Sequence, residues 1–173
     1  MSPQVQTPTA PMVSNLVLRG VLQLYTNPGR GAFTPVMAQA LRVAGQGTPV
    51  LVVQFLKGGI RQGPEHPISL GSYLTWVRCG IQRCVDTPHL EAEEKLALDQ
   101  LWQYTRESIA TGDYSLVVLD ELALALKMGL IAEDEVLDLL DSRPVSLDVM
   151  ITGPEMPESL LERADLITQL RHR

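Results

Sequence analysis

The sequence predicts an α/β fold, a mostly parallel sheet flanked by helices. Two observations carry that prediction. Short apolar, β-rich runs alternate with helical patterns along the chain, the rhythm of strand–helix–strand units. Two of the runs, Pro49–Leu56 and Ser115–Leu119, are continuously apolar rather than alternating, as expected of strands covered on both faces. With 173 residues, 45% hydrophobic and 20% charged, the chain is long enough for one domain with a sizeable core.

The elements follow in order. Val17–Thr26, with Val21, Leu22, Leu24 and Tyr25, reads as the first strand. Thr34–Val43 reads as a helix with Pro35 in its first turn, closed by Gly45-Gln46-Gly47. Pro49–Leu56 is the second strand, Lys57–Gly71 a Gly/Pro-rich loop, and Tyr73–Cys79 a further strand. Thr87-Pro88 suits the cap and first turn of a long helix. Its inner face is marked by Leu98, Leu101, Trp102, Thr105 and Ile109, and Gly112 ends it. Ser115–Leu119 is a strand closed by Asp120-Glu121. Helices over Leu122–Met128 and Glu133–Asp141 are split by Gly129. A strand over Ser146–Thr152, a turn at Gly153-Pro154, a short helix over Glu158–Ala164 and a strand over Leu166–Leu170 complete the domain. Residues 1–15, rich in Pro, Thr, Gln and Ser, are expected to be a flexible tail before a single domain over 16–173.

Charge narrows the partners. A formal net charge of −6 and a pI near 5.0 argue against nucleic-acid or anionic-membrane binding, which need clustered Lys and Arg. No apolar run approaches the ~20 residues of a membrane span, and no secretory apolar region is visible; the expected address is cytoplasmic. Cys79 and Cys84 lack zinc-ribbon spacing and His66, His89 and His172 are scattered, so two reduced thiols are expected.

In a parallel sheet, ligands sit at the carboxyl ends of the strands. Three loops fall there by chain direction: Asn27–Phe33, Lys57–Gly63 and Asp120-Glu121. The first occupies the place of a phosphate-binding loop, between strand and helix. Gly29 and Gly31 allow backbone N–H groups to face a concavity at a helix N-terminus, and Arg30 offers a cation. The same segment also reads as a tight turn that binds nothing. Asp120-Glu121, closing an apolar strand, suits two carboxylates reaching Mg²⁺, or equally a helix N-cap. Gln54 and Lys57 at the mouth of the second strand suit an anionic ligand, or a satisfied core amide and a solvated lysine. Thr152-Gly153-Pro154 reads as a turn, and Trp76 and Trp102 as core.

Taken in order, these segments resemble the P-loop-type corrinoid adenosyltransferases, which transfer adenosyl from ATP to cob(I)alamin or cob(I)yrinic acid a,c-diamide. Tyr25-Thr26 followed by Asn27 to Thr34 stands for that family's strand and Gly-Asn-Gly-Lys-Gly-Lys-Thr-Thr loop. Ala40-Leu41-Arg42 and the run Val52-Val53-Gln54-Phe55-Leu56-Lys57-Gly58 match its next helix end and strand. Val117 to Glu121, Arg143-Pro144, Thr152-Gly153 and Ala164 to Thr168 complete the series. The resemblance implies a P-loop NTPase-like fold, a homodimer, and a site for ATP, Mg²⁺ and a corrinoid. Thr26, Asn27, Gly29, Arg30, Gly31, Thr34, Gln54 and Lys57 are then the nucleotide-side candidates and Asp120 and Glu121 the metal-side ones.

The departures sit at the chemical positions. The loop's first glycine is Asn27, followed by Pro28. Its lysine is Ala32 and its metal-binding hydroxyl is Phe33. Pro154 replaces an arginine and Gln169 an acid. Removing one charge-assisted hydrogen bond to a triphosphate costs about 1.5–3 kcal/mol, so the two loop replacements together cost about 10²-fold or more in affinity. Two functions are therefore expected from the sequence. One is a family homologue with a degraded phosphate loop, acting as a non-catalytic binding or regulatory protein whose partner is a protein, a corrinoid or a weakly held nucleotide. The other is an active ATP:corrinoid adenosyltransferase that uses Arg30 and Thr34 in a variant loop.

Overall fold

The computed structural model describes residues 18–30, 33–59 and 61–171. Seven strands form one sheet in the order β3-β4-β2-β5-β6-β1-β7. They are β1 (Leu22–Thr26), β2 (Val50–Gln54), β3 (Ile68–Leu70), β4 (Leu74–Arg78), β5 (Leu116–Asp120), β6 (Asp148–Gly153) and β7 (Leu166–Gln169). Every pairing is parallel except β3 with β4. The helices are α1 (Phe33–Gly45), α2 (Ala92–Thr111), α3 (Leu122–Lys127), α4 (Glu133–Ser142) and α5 (Glu158–Arg163).

Strand alternation divides the core into two layers. In β2, Val50 and Val52 face α1, where they meet Val36, Ala40 and Ala44. Leu51 and Val53 face the opposite layer, with Leu98, Leu101 and Trp102 of α2 and Val136, Leu139 and Leu140 of α4. All five β2 residues are buried, which explains the continuous apolar run. The buried residues of α2 are Leu98, Leu101, Trp102, Thr105 and Ile109, the face expected from spacing. Gly112 ends α2 at φ 73 and Gly129 separates α3 from α4 at φ 67, a region glycine enters without strain.

Three expectations are corrected. Lys57–Gly71 contains β3, a three-residue edge strand whose side chains are all exposed, so it carries no buried periodicity for a sequence to show. The cap of α2 is Glu91 rather than Thr87-Pro88; the Glu94 carboxylate accepts the Glu91 N–H at 3.0 Å, a reciprocal acidic cap. The strand expected from Val17 begins at Leu22. Before it, Gly20 N–H donates to the Val145 carbonyl and Val21 N–H to Asp148 Oδ1, so the chain there crosses the start of β6. A Cβ on Gly20 would lie 2.1 Å from the Leu147 carbonyl oxygen, so only glycine permits that crossing. The expected N-terminal tail, residues 1–15, lies outside the described residues. Among the described residues no helix is long and apolar enough to cross a membrane. Cys79 is a buried free thiol and Cys84 an exposed one.

Candidate functional site

The parallel register brings the ends of β1, β2, β5 and β6 to one edge of the sheet. Gln54 is opposite Asp120 across β2 and β5, and Thr26 is opposite Gly153 across β1 and β6. The three loops expected to converge therefore do so, and two ion pairs tie them together. Lys57 Nζ lies 3.0 Å from Asp120 Oδ2, with the carboxylate 1% exposed and the lysine side chain 19% exposed. The Arg30 guanidinium grips Glu121 with both ends of its fork, Nε to Oε1 at 2.5 Å and Nη2 to Oε2 at 2.7 Å. Its third nitrogen, Nη1, donates to the Val85 carbonyl at 3.0 Å. The bonded Glu121 carboxylate holds the Arg30 pKa above its ordinary value against the opposing effect of burial.

Asp120 is the hub. Its Oδ2 accepts from Gln54 Nε2 at 2.8 Å as well as from Lys57, and its Oδ1 accepts from the Thr152 hydroxyl at 2.7 Å. Gln54 is in turn held through its carbonyl, which accepts from Trp76 Nε1 at 3.0 Å and Arg78 Nε at 2.9 Å. That network answers why a polar side chain sits inside an apolar strand: both ends of the buried Gln54 amide have partners. Thr152 also accepts the Glu121 N–H at 2.8 Å. Glu121 needs that help. It is the one described non-glycine residue at positive φ (61°), in the left-handed region, and it turns the chain from β5 into α3. Asp120 belongs to β5 and caps nothing; Glu121 stands at the N-cap position without a side-chain capping bond.

On the α1 side the site is aromatic. The Phe33 and Trp76 rings stack at 6.3 Å between centroids, with planes 28° apart. Lys57 Nζ sits 4.6 Å above the Phe33 centroid, and the Arg78 guanidinium 5.6 Å from Trp76.

The remaining candidates fall as follows. Asn27 is buried and its Oδ1 accepts the Gly29 N–H at 3.1 Å, so that N–H is spent inside the turn rather than aimed at a ligand. A Cβ on Gly29 would meet nothing within 4 Å, so the turn does not require glycine there. Thr26 is half-buried in β1, and Thr34 is exposed on α1, outside the cluster. Gly31 and Ala32 lie outside the described residues. Lys57 is not a freely solvated lysine but a half-buried one paired with the buried Asp120. Between the loop and the acidic strand end, bounded by Gly29, Arg30, Glu121 and Pro154, the free volume is about 10 Å³, room for roughly one water. Sequence reasoning missed Thr152 and Trp76 as members of the network. Thr152 was visible as a strand end, a turn residue and half of a family-like Thr-Gly pair, none of which names its partners, and Trp76 as one more large apolar residue.

A family model described as ATP:corrinoid adenosyltransferase BtuR/CobO/CobP matches residues 18–173. The chain belongs to that family. It is 33% identical over 162 residues to a corrinoid adenosyltransferase of Pseudomonas aeruginosa, covering 88% of this chain and 75% of that protein. It is 29% identical over 161 residues to a corrinoid adenosyltransferase of Escherichia coli, covering 88% and 77%. An uncharacterized Nostoc protein is 28% identical over an alignment of 172 residues that covers 89% of this chain and 44% of that longer one. The mostly parallel seven-stranded sheet is the α/β fold expected of an adenosyltransferase of this family.

Proposed function

We propose that this chain is a corrinoid adenosyltransferase homologue whose ATP phosphate site is degraded, and that it serves as a non-catalytic binding or regulatory protein. The observation that carries this reading is the Phe33–Lys57–Asp120 cluster. Phe33 stands where the loop's metal-binding hydroxyl belongs, and its ring is packed on Trp76 beneath the Lys57 ammonium. That ammonium is already bonded to Asp120. Two of the cations at this edge, Arg30 and Lys57, are each matched by a carboxylate, which leaves Arg78, bonded to Gln54 and set over Trp76, as the unmatched charge among the described residues for a triphosphate carrying about four negative charges. Ala32 adds none.

The other reading, an active ATP:corrinoid adenosyltransferase using Arg30 and Thr34, draws on the retained Gln54, Lys57 and Asp120. Against it, Thr34 is exposed away from the cluster and Arg30 is committed to Glu121. A corrinoid held without turnover, or a partner protein, is the ligand that the first reading leaves. Family-type homodimerisation and a cytoplasmic address belong to the same proposal. Light scattering should return twice the 19.0 kDa chain mass.

Calorimetry tests the central point. With Mg²⁺ and millimolar ATP the wild type should show no binding. The double variant Ala32→Lys with Phe33→Thr should gain affinity by on the order of 10²-fold. Micromolar binding by the wild type would overturn the reading, and so would a double variant with unchanged affinity, because the defect would then lie elsewhere.

A further inference from the structure

We propose that the Arg30 guanidinium, with Lys57 beside it, is this chain's built-in replacement for a divalent cation at the carboxyl end of β5, so that whatever the site holds is held without metal. The proposal deepens the reading above and rests on it only for the identity of the site. A divalent ion at Asp120 and Glu121 would have to compete for their carboxylate oxygens with the donors already bonded there. All four oxygens already accept hydrogen bonds. Glu121 Oε1 and Oε2 take the Arg30 fork, Asp120 Oδ1 takes the Thr152 hydroxyl, and Asp120 Oδ2 takes Gln54 and Lys57. Two of those donors, the Arg30 guanidinium and the Lys57 ammonium, are cationic, together the charge of the ion they stand in for.

The fit of the guanidinium is specific. Its planar fork matches the carboxylate bidentately, and no accessible pH removes its proton. The Glu121 carboxylate is buried, with its side chain 4% exposed, so an entering metal would have to displace the arginine before gaining any ligand. Displacement would also release the Val85 carbonyl, which Arg30 ties to the loop after β1. The backbone is built for this grip. Glu121 is held at φ 61 by the Thr152 hydroxyl, and that turn puts its carboxylate within reach of Arg30. Phe33 supplies an aromatic ring where a hydroxyl ligand would complete a metal shell. The residues present therefore do not fit a resident Mg²⁺.

Manganese titration of the full chain, read by the electron paramagnetic resonance signal of free Mn²⁺, tests this. The wild type should show no saturable uptake below about 1 mM. Arg30→Ala should bind Mn²⁺ at least roughly tenfold more tightly than the wild type, a gain of about 1.4 kcal/mol. Adding Glu121→Gln should abolish the gain. Arg30→Met, which keeps the aliphatic stem, replaces the alanine variant if circular dichroism shows that variant unfolded, and the wild-type arm stands without either. Saturable Mn²⁺ uptake by the wild type that Glu121→Gln removes would overturn the proposal. So would a folded Arg30 variant that gains nothing. Adenosyl transfer by the wild type without uptake of metal would defeat the proposed function and leave this inference intact. Wild-type uptake without transfer would do the reverse.

Discussion

Replacing Lys57 by methionine removes the ammonium from Asp120 and keeps most of the side-chain volume. Asp120 is 1% exposed, so its charge cannot be rehydrated without moving the strand. Breaking one side of a buried pair costs about 3–5 kcal/mol when the other charge is left alone. Here Asp120 keeps Gln54 Nε2 at 2.8 Å and the Thr152 hydroxyl at 2.7 Å, and Lys57 is itself partly exposed. Those two hydrogen bonds place the cost lower, at about 2–3 kcal/mol. With a urea slope of about 2 kcal/mol per molar, the unfolding midpoint should fall by roughly 1–1.5 M. Urea unfolding followed by circular dichroism measures it. The double variant with Asp120→Asn should recover at least about 1 kcal/mol, because the amide can donate to Thr152 Oγ1 and keep its oxygen for Gln54. A Lys57→Met cost under about 0.5 kcal/mol, the range of an exposed pair, would refute the reasoning. Strict additivity in the double variant would refute it as well.

Further outcomes follow from the same geometry. Thr152→Val strands Asp120 Oδ1 and the Glu121 N–H at once, and should cost about 2–4 kcal/mol in the same unfolding experiment. Glu121→Ala and Glu121→Gly both lose the Arg30 pair, but glycine accepts φ 61 freely, so the glycine variant should be the more stable by about 1 kcal/mol. Burial pushes the Cys79 thiol from 9.0 up to about 12. The folded state therefore keeps a proton that the unfolded chain releases above pH 9. Stability should be unaffected by this group below pH 9 and should decline between pH 9 and 12 at up to about 1.4 kcal/mol per pH unit. Cys79→Ala should flatten that decline. A thiol reagent at pH 8 should label Cys84 quickly and Cys79 only after unfolding, and mass mapping of the labelled peptides checks this.

The parts of this fold written in local periodicity were legible. The β2 run is apolar without alternation because α1 covers one face and α2 and α4 the other. The inner stripe of α2 was readable because the helix buries one face only. β3 was not, since its three residues are exposed and pair with β4 across the sheet edge. In the site, the convergence of Asn27–Arg30, Lys57 and Asp120-Glu121 was readable because parallel strands put their carboxyl ends on one edge. Who pairs with whom was not. Arg30 and Glu121 are 91 residues apart, and Lys57 and Asp120 are 63 apart, so their neutralisation is a product of tertiary register. Sequence alone left Lys57 as a solvated lysine or a ligand contact. In the structure its ammonium is paired with the carboxylate of Asp120. Thr152, a turn residue by its sequence, became the hydroxyl that joins both acids.

Multiple-turnover adenosyl transfer tests the central claim most directly. Purified protein is mixed with ATP, Mg²⁺ and chemically reduced cob(I)alamin, and adenosylcobalamin is followed by absorbance. No adenosylcobalamin beyond the protein-free rate is the expected result, with Arg30 and Lys57 spent on Glu121 and Asp120. Repeated turnovers per chain, abolished by Asp120→Asn in a protein that remains folded, would contradict it.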